Sequence, residues 1–172
     1  MRAVLISIRP EWVDKILSGE KTLEVRKTRP KLEAPFKVYI YCTAGNLSYE
    51  VNNGMMCNIS GGKLVVGEFV CDKIDCVDIP YPAFMGRLDK HWTEDSCCTY
   101  YQLHRYFYHD RAYFWHISGL KIYDMPRELS EFSRPFENCI GKVCDEYGCA
   151  YCENGGHIKR PPQSWCYVED LA

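Results

Sequence analysis

The chain has 172 residues, of which 47% are apolar and 26% are charged, and its formal net charge is −2. This length and composition fit one globular domain with a substantial core, and they exclude global disorder. No apolar run approaches the roughly 18 residues of a membrane-spanning helix, and the near-neutral charge excludes a globally basic nucleic-acid binder.

Charge is unevenly distributed along the chain. Residues 1–42 carry nine Lys or Arg and five Asp or Glu, whereas the remainder carries twelve and eighteen. A locally basic surface on a mildly acidic body favours a protein that binds an anion at one place. The N-terminal apolar stretch covers only residues 3–8, which is too short for a secretory signal. We therefore expect a cytoplasmic protein whose thiols are reduced or metal-bound.

Short strands dominate the predicted secondary structure. The predicted strands are 3–8, 22–26, 37–43, 63–71 with a possible continuation through Val77, 112–123 with a possible break at Gly119, and 164–169. Between the third and fourth of these, residues 45–62 are rich in Gly and Asn, which predicts a loop or an extended hairpin.

Two helices are predicted between the strands. Pro10, at a position that the first helical turn tolerates, starts the first helix, and Gly19 stands just past its end. Ser96 is predicted to cap the second, which runs to about Tyr108. Because no repeating βαβ pattern is present, these elements predict an α+β fold, a small mixed β-barrel with two main helices.

The segment from Gly19 to Arg26 carries the most informative pattern. Lys21 begins the predicted strand, and Glu24 and Arg26 alternate onto one face of it. Two cations and a carboxylate therefore converge near the end of a short helix. The alternative interpretation is a solvated, self-paired charged strand, because surface charge pairs are common and contribute little to stability.

The order Gly19-x-Lys21-x-x-Glu24-x-Arg26, after a strand and a short helix, resembles the signature of the ASCH domain, a branch of the PUA-like β-barrel superfamily. Three further segments fit this resemblance: Ser7-Ile8-Arg9-Pro10, Gly67-Glu68-Phe69 and Trp115-His116-Ile117. The resemblance covers about residues 2–125 and 163–169. It implies one ASCH or PUA-like domain over residues 1–172, in which the Cys-rich segment 133–162 is an insertion before the last strand.

The resemblance implies that the chain binds RNA or a modified nucleotide in a cleft beside the motif. Phosphate or carbonyl oxygens would meet the cations while a base stacks on an aromatic ring. The candidate binding residues are Arg9, Lys21, Glu24, Arg26, Tyr41, Trp115 and Trp165. Each aromatic residue taken alone is as readily explained as part of the core. A protein partner for the basic cleft is a further alternative.

One branch of the ASCH family is enzymatic: small bacterial members hydrolyse N4-acetylcytidine with a lysine, a threonine three residues later and a glutamate just before the second helix. Lys21 matches the lysine, but Glu24 stands at the position of the threonine. A carboxylate does not replace a hydroxyl nucleophile without a changed mechanism. Glu94 or Asp95 falls near the second acidic position, where a helix dipole also favours acidic residues. The alternative function is therefore an amidohydrolase with Lys21, Glu24, Glu94 and Asp95 as its candidate catalytic residues.

A second pattern is the crowding of Cys139, Cys144, Cys149 and Cys152 into fourteen residues. Thiolates at such spacing in a Gly-containing loop suit tetrahedral zinc, and the x2 spacing of the last pair is that of a zinc knuckle. His157 or Cys166 could substitute for one ligand. The expected role is structural, because four protein ligands leave no open position on the metal. Free thiols, an iron–sulfur cluster and disulfides remain alternatives.

Overall fold

The computed structural model describes residues 1–51, 54–79, 88–108, 111–135 and 156–171. The strands are β1 (Arg2–Ile8), β2 (Leu23–Arg26), β3 (Phe36–Cys42), β4 (Leu47–Glu50), β5 (Met56–Ile59), β6 (Val65–Asp78), β7 (Arg111–Arg127) and β8 (Trp165–Glu169). The α-helices are α1 (Pro10–Leu17), α2 (Lys90–Glu94) and α3 (Tyr100–Phe107), and a 3-10 turn covers Leu129–Glu131. This content confirms the α+β class. Across the described ranges, no helix is long and apolar enough to cross a membrane.

Six strands form one sheet in the order β2-β7-β6-β3-β1-β8, and β4 and β5 form a separate hairpin. β1 pairs with β3 in parallel, and the other pairs are antiparallel. Backbone pairing leaves β2 and β8 at the two edges, so the described part of the chain contains no closed barrel. The edges approach each other through side chains: Arg26 Nη2 donates to the carbonyl of Ser7 in β1, and Trp165 Nε1 of β8 donates to Thr28 Oγ1.

The two faces of the sheet hold different cores. The larger core, which includes Phe69 and Trp115, is covered by α1 and the hairpin, and we call its side the α1 face. Ile40 of β3 belongs to this core, whereas its neighbours Tyr39 and Tyr41 lie in a second core on the opposite face. Successive residues of a strand point to opposite faces, and both faces of β3 are buried.

Helix α3 packs against the edge of the sheet through a third core. Leu23 and Val25 of β2 belong to this core together with Leu103 and Phe107 of the helix. The helix begins at Tyr100, so the predicted cap at Ser96 is wrong. Thr99 caps it instead, in a capping box in which the Thr99 side chain accepts from the backbone of Gln102 and the Gln102 side chain accepts from the backbone of Thr99.

The two longest strands are longer than the sequence indicates. β6 extends through Val77 to Asp78, as the possible continuation suggests, and β7 runs through Gly119 without ending there. The pairing of the two strands shifts register where Ser118 opposes Val70 and Lys121 opposes Glu68, so Gly119 marks an irregularity and not a break. The predicted hairpin within 45–62 is confirmed by β4 and β5.

The described ends of the Cys-rich segment 133–162 lie side by side. Ser133 and His157 form an antiparallel bridge, and the backbone N–H of Ile158 donates to the carbonyl of Phe132 at 2.8 Å. The chain therefore leaves and re-enters the fold at one place. The four clustered cysteines lie outside the described residues, so the predicted insertion and its metal stay predictions.

Candidate functional site

The charged residues of the motif form one buried cluster on the α1 face. Glu24 Oε1 lies 2.9 Å from Arg26 Nη2, and Glu24 Oε2 lies 3.5 Å from Lys21 Nζ. The three side chains are only 2–9% exposed. The alternative of a solvated charged strand is therefore wrong about solvation, although the charges do pair with one another. A buried ion pair of this kind is costly to desolvate, and its presence calls for a reason beyond stability.

Lys21 is fixed by the turn that follows α2. Its Nζ donates to the carbonyl of Leu23 at 2.8 Å and to the carbonyl of Ser96 at 2.7 Å. The ammonium also forms an ion pair with Glu24 at 3.5 Å and lies 5.4 Å from the centroid of the Trp12 ring. Two of its three donors therefore bond to backbone carbonyls. Lys21 is therefore a positioning cation that joins β2 to the turn.

The same turn also holds the backbone at the start of β2. The N–H groups of Thr22 and Leu23 both donate to the carbonyl of Asp95, at 2.9 and 3.0 Å. Upstream, Gly19 has φ +79°, a conformation that favours glycine, and it lets the chain leave α1 and enter this arrangement. The predicted role of Gly19 past the helix end is confirmed.

Arg26 reaches across the interior from β2 to β1. Its Nη2 donates both to Glu24 and to the carbonyl of Ser7, at 2.9 and 2.8 Å. Its Nε is buried and has no hydrogen-bond partner among the described residues, and the same is true of Trp115 Nε1. Trp115 stands directly opposite Glu24 in the β2–β7 pairing, so the two unsatisfied donors belong to one face. Buried donors are nearly always satisfied, so these two are exceptions to the usual pattern.

The predicted aromatic residues divide between the two faces. Trp165 lies beside the cluster, with its ring 6.0 Å from that of the fully buried Trp115, and it is half-buried. Tyr41 belongs to the core on the opposite face, so the structure does not bring it to the cluster. Arg9 occupies the N-cap position of α1 without a side-chain cap hydrogen bond. Its side chain is largely exposed and lies 3.8 Å from Glu11, so the structure does not bring it into the buried cluster.

The acidic pair near residue 95 is placed differently from the prediction. Glu94 is the last residue of α2, and its exposed carboxylate pairs with Lys90. Asp95 follows it and holds β2 through its backbone carbonyl. The two residues end a short helix and are not directly before α3, which begins at Tyr100. Among the described residues, neither carboxylate forms an ion pair with Lys21 or Arg26 of the buried cluster.

The cluster also depends on residues that the sequence does not mark. The carbonyls of Ser7 and Ser96 accept from the two cations, and any residue type can supply a carbonyl. Trp12 has the helical spacing of a core residue, which gave no indication of its contact with Lys21. Ser7 is itself tied to the segment before β8, because its Oγ donates to the carbonyl of Pro162 at 2.7 Å.

Comparison with known proteins gives structural similarity alone. No protein-family model and no curated protein sequence matches the chain. A crystal structure of ASCH from Zymomonas mobilis superimposes with a TM-score of 0.59 at 19% identity, covering 98% of this chain and 88% of that chain. Two single-substitution variants of the same protein superimpose with TM-scores of 0.59 and 0.60 at 18% identity, again over 98% of this chain and over 91% and 89% of theirs.

Proposed function

We propose that this chain, which has the fold of the ASCH domain, binds a standard or modified nucleotide of RNA beside the cluster of Lys21, Glu24 and Arg26. The observation that carries the proposal is the pair of unsatisfied donors, Arg26 Nε and Trp115 Nε1. A buried donor without a partner costs about 1–3 kcal/mol. Base carbonyls, ring nitrogens and phosphate oxygens are hydrogen-bond acceptors. A nucleotide that bonds to these donors therefore removes the free-energy cost of leaving them unpaired.

The charge of the cluster supports the same ligand class. Two cations surround one carboxylate, so the cluster carries a formal charge of +1 at neutral pH. Because the cluster is buried, the local dielectric is low, which strengthens the attraction between the cluster and an anion or a strongly dipolar acceptor. The half-buried ring of Trp165 next to Trp115 adds a surface on which a base can stack. Acceptors, negative charge and a flat ring are combined in a nucleotide.

The test removes one donor, with the pyrrole half of its indole, and keeps a smaller aromatic ring in its place. Nucleoside monophosphates and N4-acetylcytidine are titrated by calorimetry against the wild type, Trp115→Phe and Trp92→Phe. Trp115→Phe deletes the Nε1 donor, and we expect about tenfold weaker binding, which is the worth of one buried hydrogen bond. Trp92 is the matched control, because it packs in the third core against Phe114. Equal affinities for all three proteins, or no binding to any of them, would contradict the proposal.

Hydrolysis is tested in the same samples. Lys21 donates to two backbone carbonyls, and Glu24 is held between two cations, so the contacts of both residues suit binding better than proton transfer. We expect no release of cytidine from N4-acetylcytidine above the buffer blank. Release by the wild type that disappears in Lys21→Met would place an amidohydrolase ahead of a binding protein.

We also propose that Cys139, Cys144, Cys149 and Cys152 hold one structural zinc ion in a cytoplasmic protein. Metal binding supplies folding energy where a short segment lacks a core. Cys166 is a weaker candidate ligand, because burial against the second core raises the pKa of its thiol to about 11.

Elemental analysis of protein purified without chelator is expected to give close to one zinc per chain. The double variant Cys149→Ser/Cys152→Ser should lose the metal, whereas Cys76→Ser, at an exposed position on β6, should keep it. Less than about a tenth of an equivalent, together with eleven titratable thiols, would identify the cluster as free cysteines.

A further inference from the structure

The outer side of α3 carries exposed aromatic rings next to exposed cations. Tyr101, Tyr106 and Tyr108 are 67%, 44% and 76% exposed, although large rings are usually buried. Arg105 is exposed on the same helix, and Lys27 Nζ lies 5.0 Å from the centroid of the Tyr106 ring. We call these five residues the α3 surface.

Helical geometry places two of these residues side by side. Tyr101 and Arg105 are four residues apart, so they share one stripe, opposite the side that Leu103 and Phe107 bury. Tyr108 follows as the C-cap residue, in a left-handed conformation. The exposed side chains along the helix and its C-cap are therefore a ring, a guanidinium and a ring in order.

The charge of the α3 surface has one sign. Residues 99–108 contain no Asp or Glu, and neither does the loop 27–32, which carries Lys27, Arg29 and Lys31. These three cations are exposed. An anionic partner is therefore attracted to this surface.

The α3 surface connects to the buried cluster around the edge of the sheet. Strand alternation directs Arg26 to the α1 face, and it directs Leu23, Val25 and then Lys27 to the side of α3. β2 is an edge strand, so passage from one side of the sheet to the other crosses this edge. Arg26 and Lys27 are consecutive, so little chain length is needed for that passage.

We infer that the α3 surface binds the single-stranded RNA that flanks a nucleotide held at the buried cluster. This inference rests on the proposed function. Bases stack on Tyr101 and Tyr108, and the phosphates meet Arg105 and Lys27. Single-stranded nucleic acids are recognised by this alternation of rings and cations, because every base has a π-face and every linkage a charge. An acidic peptide would use the cations but would leave the rings without partners.

The test uses 5′-labelled oligouridine RNA of two, four and eight nucleotides in fluorescence anisotropy, with UMP binding measured by calorimetry. Arg105→Gln is expected to weaken binding of the eight-nucleotide RNA about three- to tenfold and to lower the salt slope by about 0.7. Lys121→Gln is the matched control. It removes one exposed cation from β7. Lys121 is seven residues along the strand from Phe114, which lies in the core under α3, and seven strand residues span roughly 23 Å. The substitution should therefore leave the affinity for RNA unchanged.

A second pair of variants isolates stacking. Tyr101→Leu should weaken the eight-nucleotide complex at least fivefold, whereas Tyr101→Phe keeps the ring and should bind like the wild type. All four variants should bind UMP with wild-type affinity, because none lies in the buried cluster. The affinity for RNA should rise with length in the wild type and rise less in Arg105→Gln and Tyr101→Leu.

Two outcomes overturn the inference: unchanged RNA affinity in both Arg105→Gln and Tyr101→Leu, or an equal loss in Lys121→Gln, which would show non-specific attraction. A third outcome would contradict the proposed function but not this inference. In that outcome UMP does not bind the wild type and Trp115→Phe has no effect, while binding of the eight-nucleotide RNA still depends on Tyr101 and Arg105. The α3 surface would then be an RNA-binding site that is independent of the buried cluster.

Discussion

Glu24→Ala is expected to lower the free energy of unfolding by about 3–5 kcal/mol. The substitution leaves Lys21 and Arg26 buried without their shared carboxylate, and breaking a buried ion pair from one side is strongly destabilising for that reason. For a domain of this size each kcal/mol shifts the melting temperature by roughly 2–4 °C. The melting temperature, followed by circular dichroism, should therefore fall by roughly 6–20 °C.

Two variants control for the loss of a carboxylate as such. Glu24→Gln keeps an acceptor oxygen and the shape of the side chain, so its loss should be smaller than that of Glu24→Ala. Glu94→Ala removes an exposed carboxylate from the Lys90 pair, which water already solvates, and its melting temperature should match the wild type. A wild-type melting temperature for Glu24→Ala would show that the cluster is not energetically coupled to the fold.

Gly62→Ala is expected to destabilise the protein by about 2–5 kcal/mol, measured by urea unfolding. Gly62 has φ +62°, and a Cβ at this position would overlap the backbone carbonyl oxygen of Thr43 and approach that of Gly45 to 3.1 Å. The left-handed conformation costs a residue with a Cβ about 1–2 kcal/mol. Overpacking against rigid backbone adds about 1–3 kcal/mol, because neither carbonyl can move without disturbing the chain between β3 and the hairpin.

The neighbouring glycine provides the control. Gly61 has φ +83°, but nothing lies within 4 Å of the position that a Cβ would take. Gly61→Ala should therefore cost only the conformational part, about 1–2 kcal/mol. Equal losses for the two variants would mean that the chain around Thr43 adjusts to the extra atom, and that the close approach at Gly62 does not restrain the base of the hairpin.

Local sequence patterns predicted most of the secondary structure but misplaced the start of one helix. Strands such as β1 and β8 and helix α1 follow directly from apolar runs, proline and glycine. For α3, Ser96 and Thr99 are both residue types that cap helices well. The spacing of Thr99 and Gln102 decides between them, because it allows a reciprocal pair of hydrogen bonds. Ser96 instead ends the preceding turn, where its hydroxyl donates to the carbonyl of Trp92.

Only the part of the buried cluster that lies within one strand could be predicted from the sequence. Glu24 and Arg26 share a face because they are two residues apart, and this is a local property. The carbonyl of Ser96 is 75 positions away from Lys21 in the sequence, and no side chain marks it. The face of the sheet on which Tyr41 lies could not be predicted either. β3 is buried on both sides, and an unbroken apolar run does not show which of its residues share a face with the cluster.

The position of β1 in the sheet has a consequence for the chain during its synthesis. Its two neighbours are β3, which follows soon after it, and β8, in which Val168 pairs with Ala3. Synthesis proceeds from the N-terminus, so the outer hydrogen-bonding edge of β1 stays open until nearly all of the described chain has left the ribosome. An apolar strand with a bare edge is a template for pairing with another molecule. We therefore expect aggregation of the nascent chain to depend on how quickly residues 165–169 arrive, and a chaperone that covers β1 in the meantime to raise the yield of folded protein.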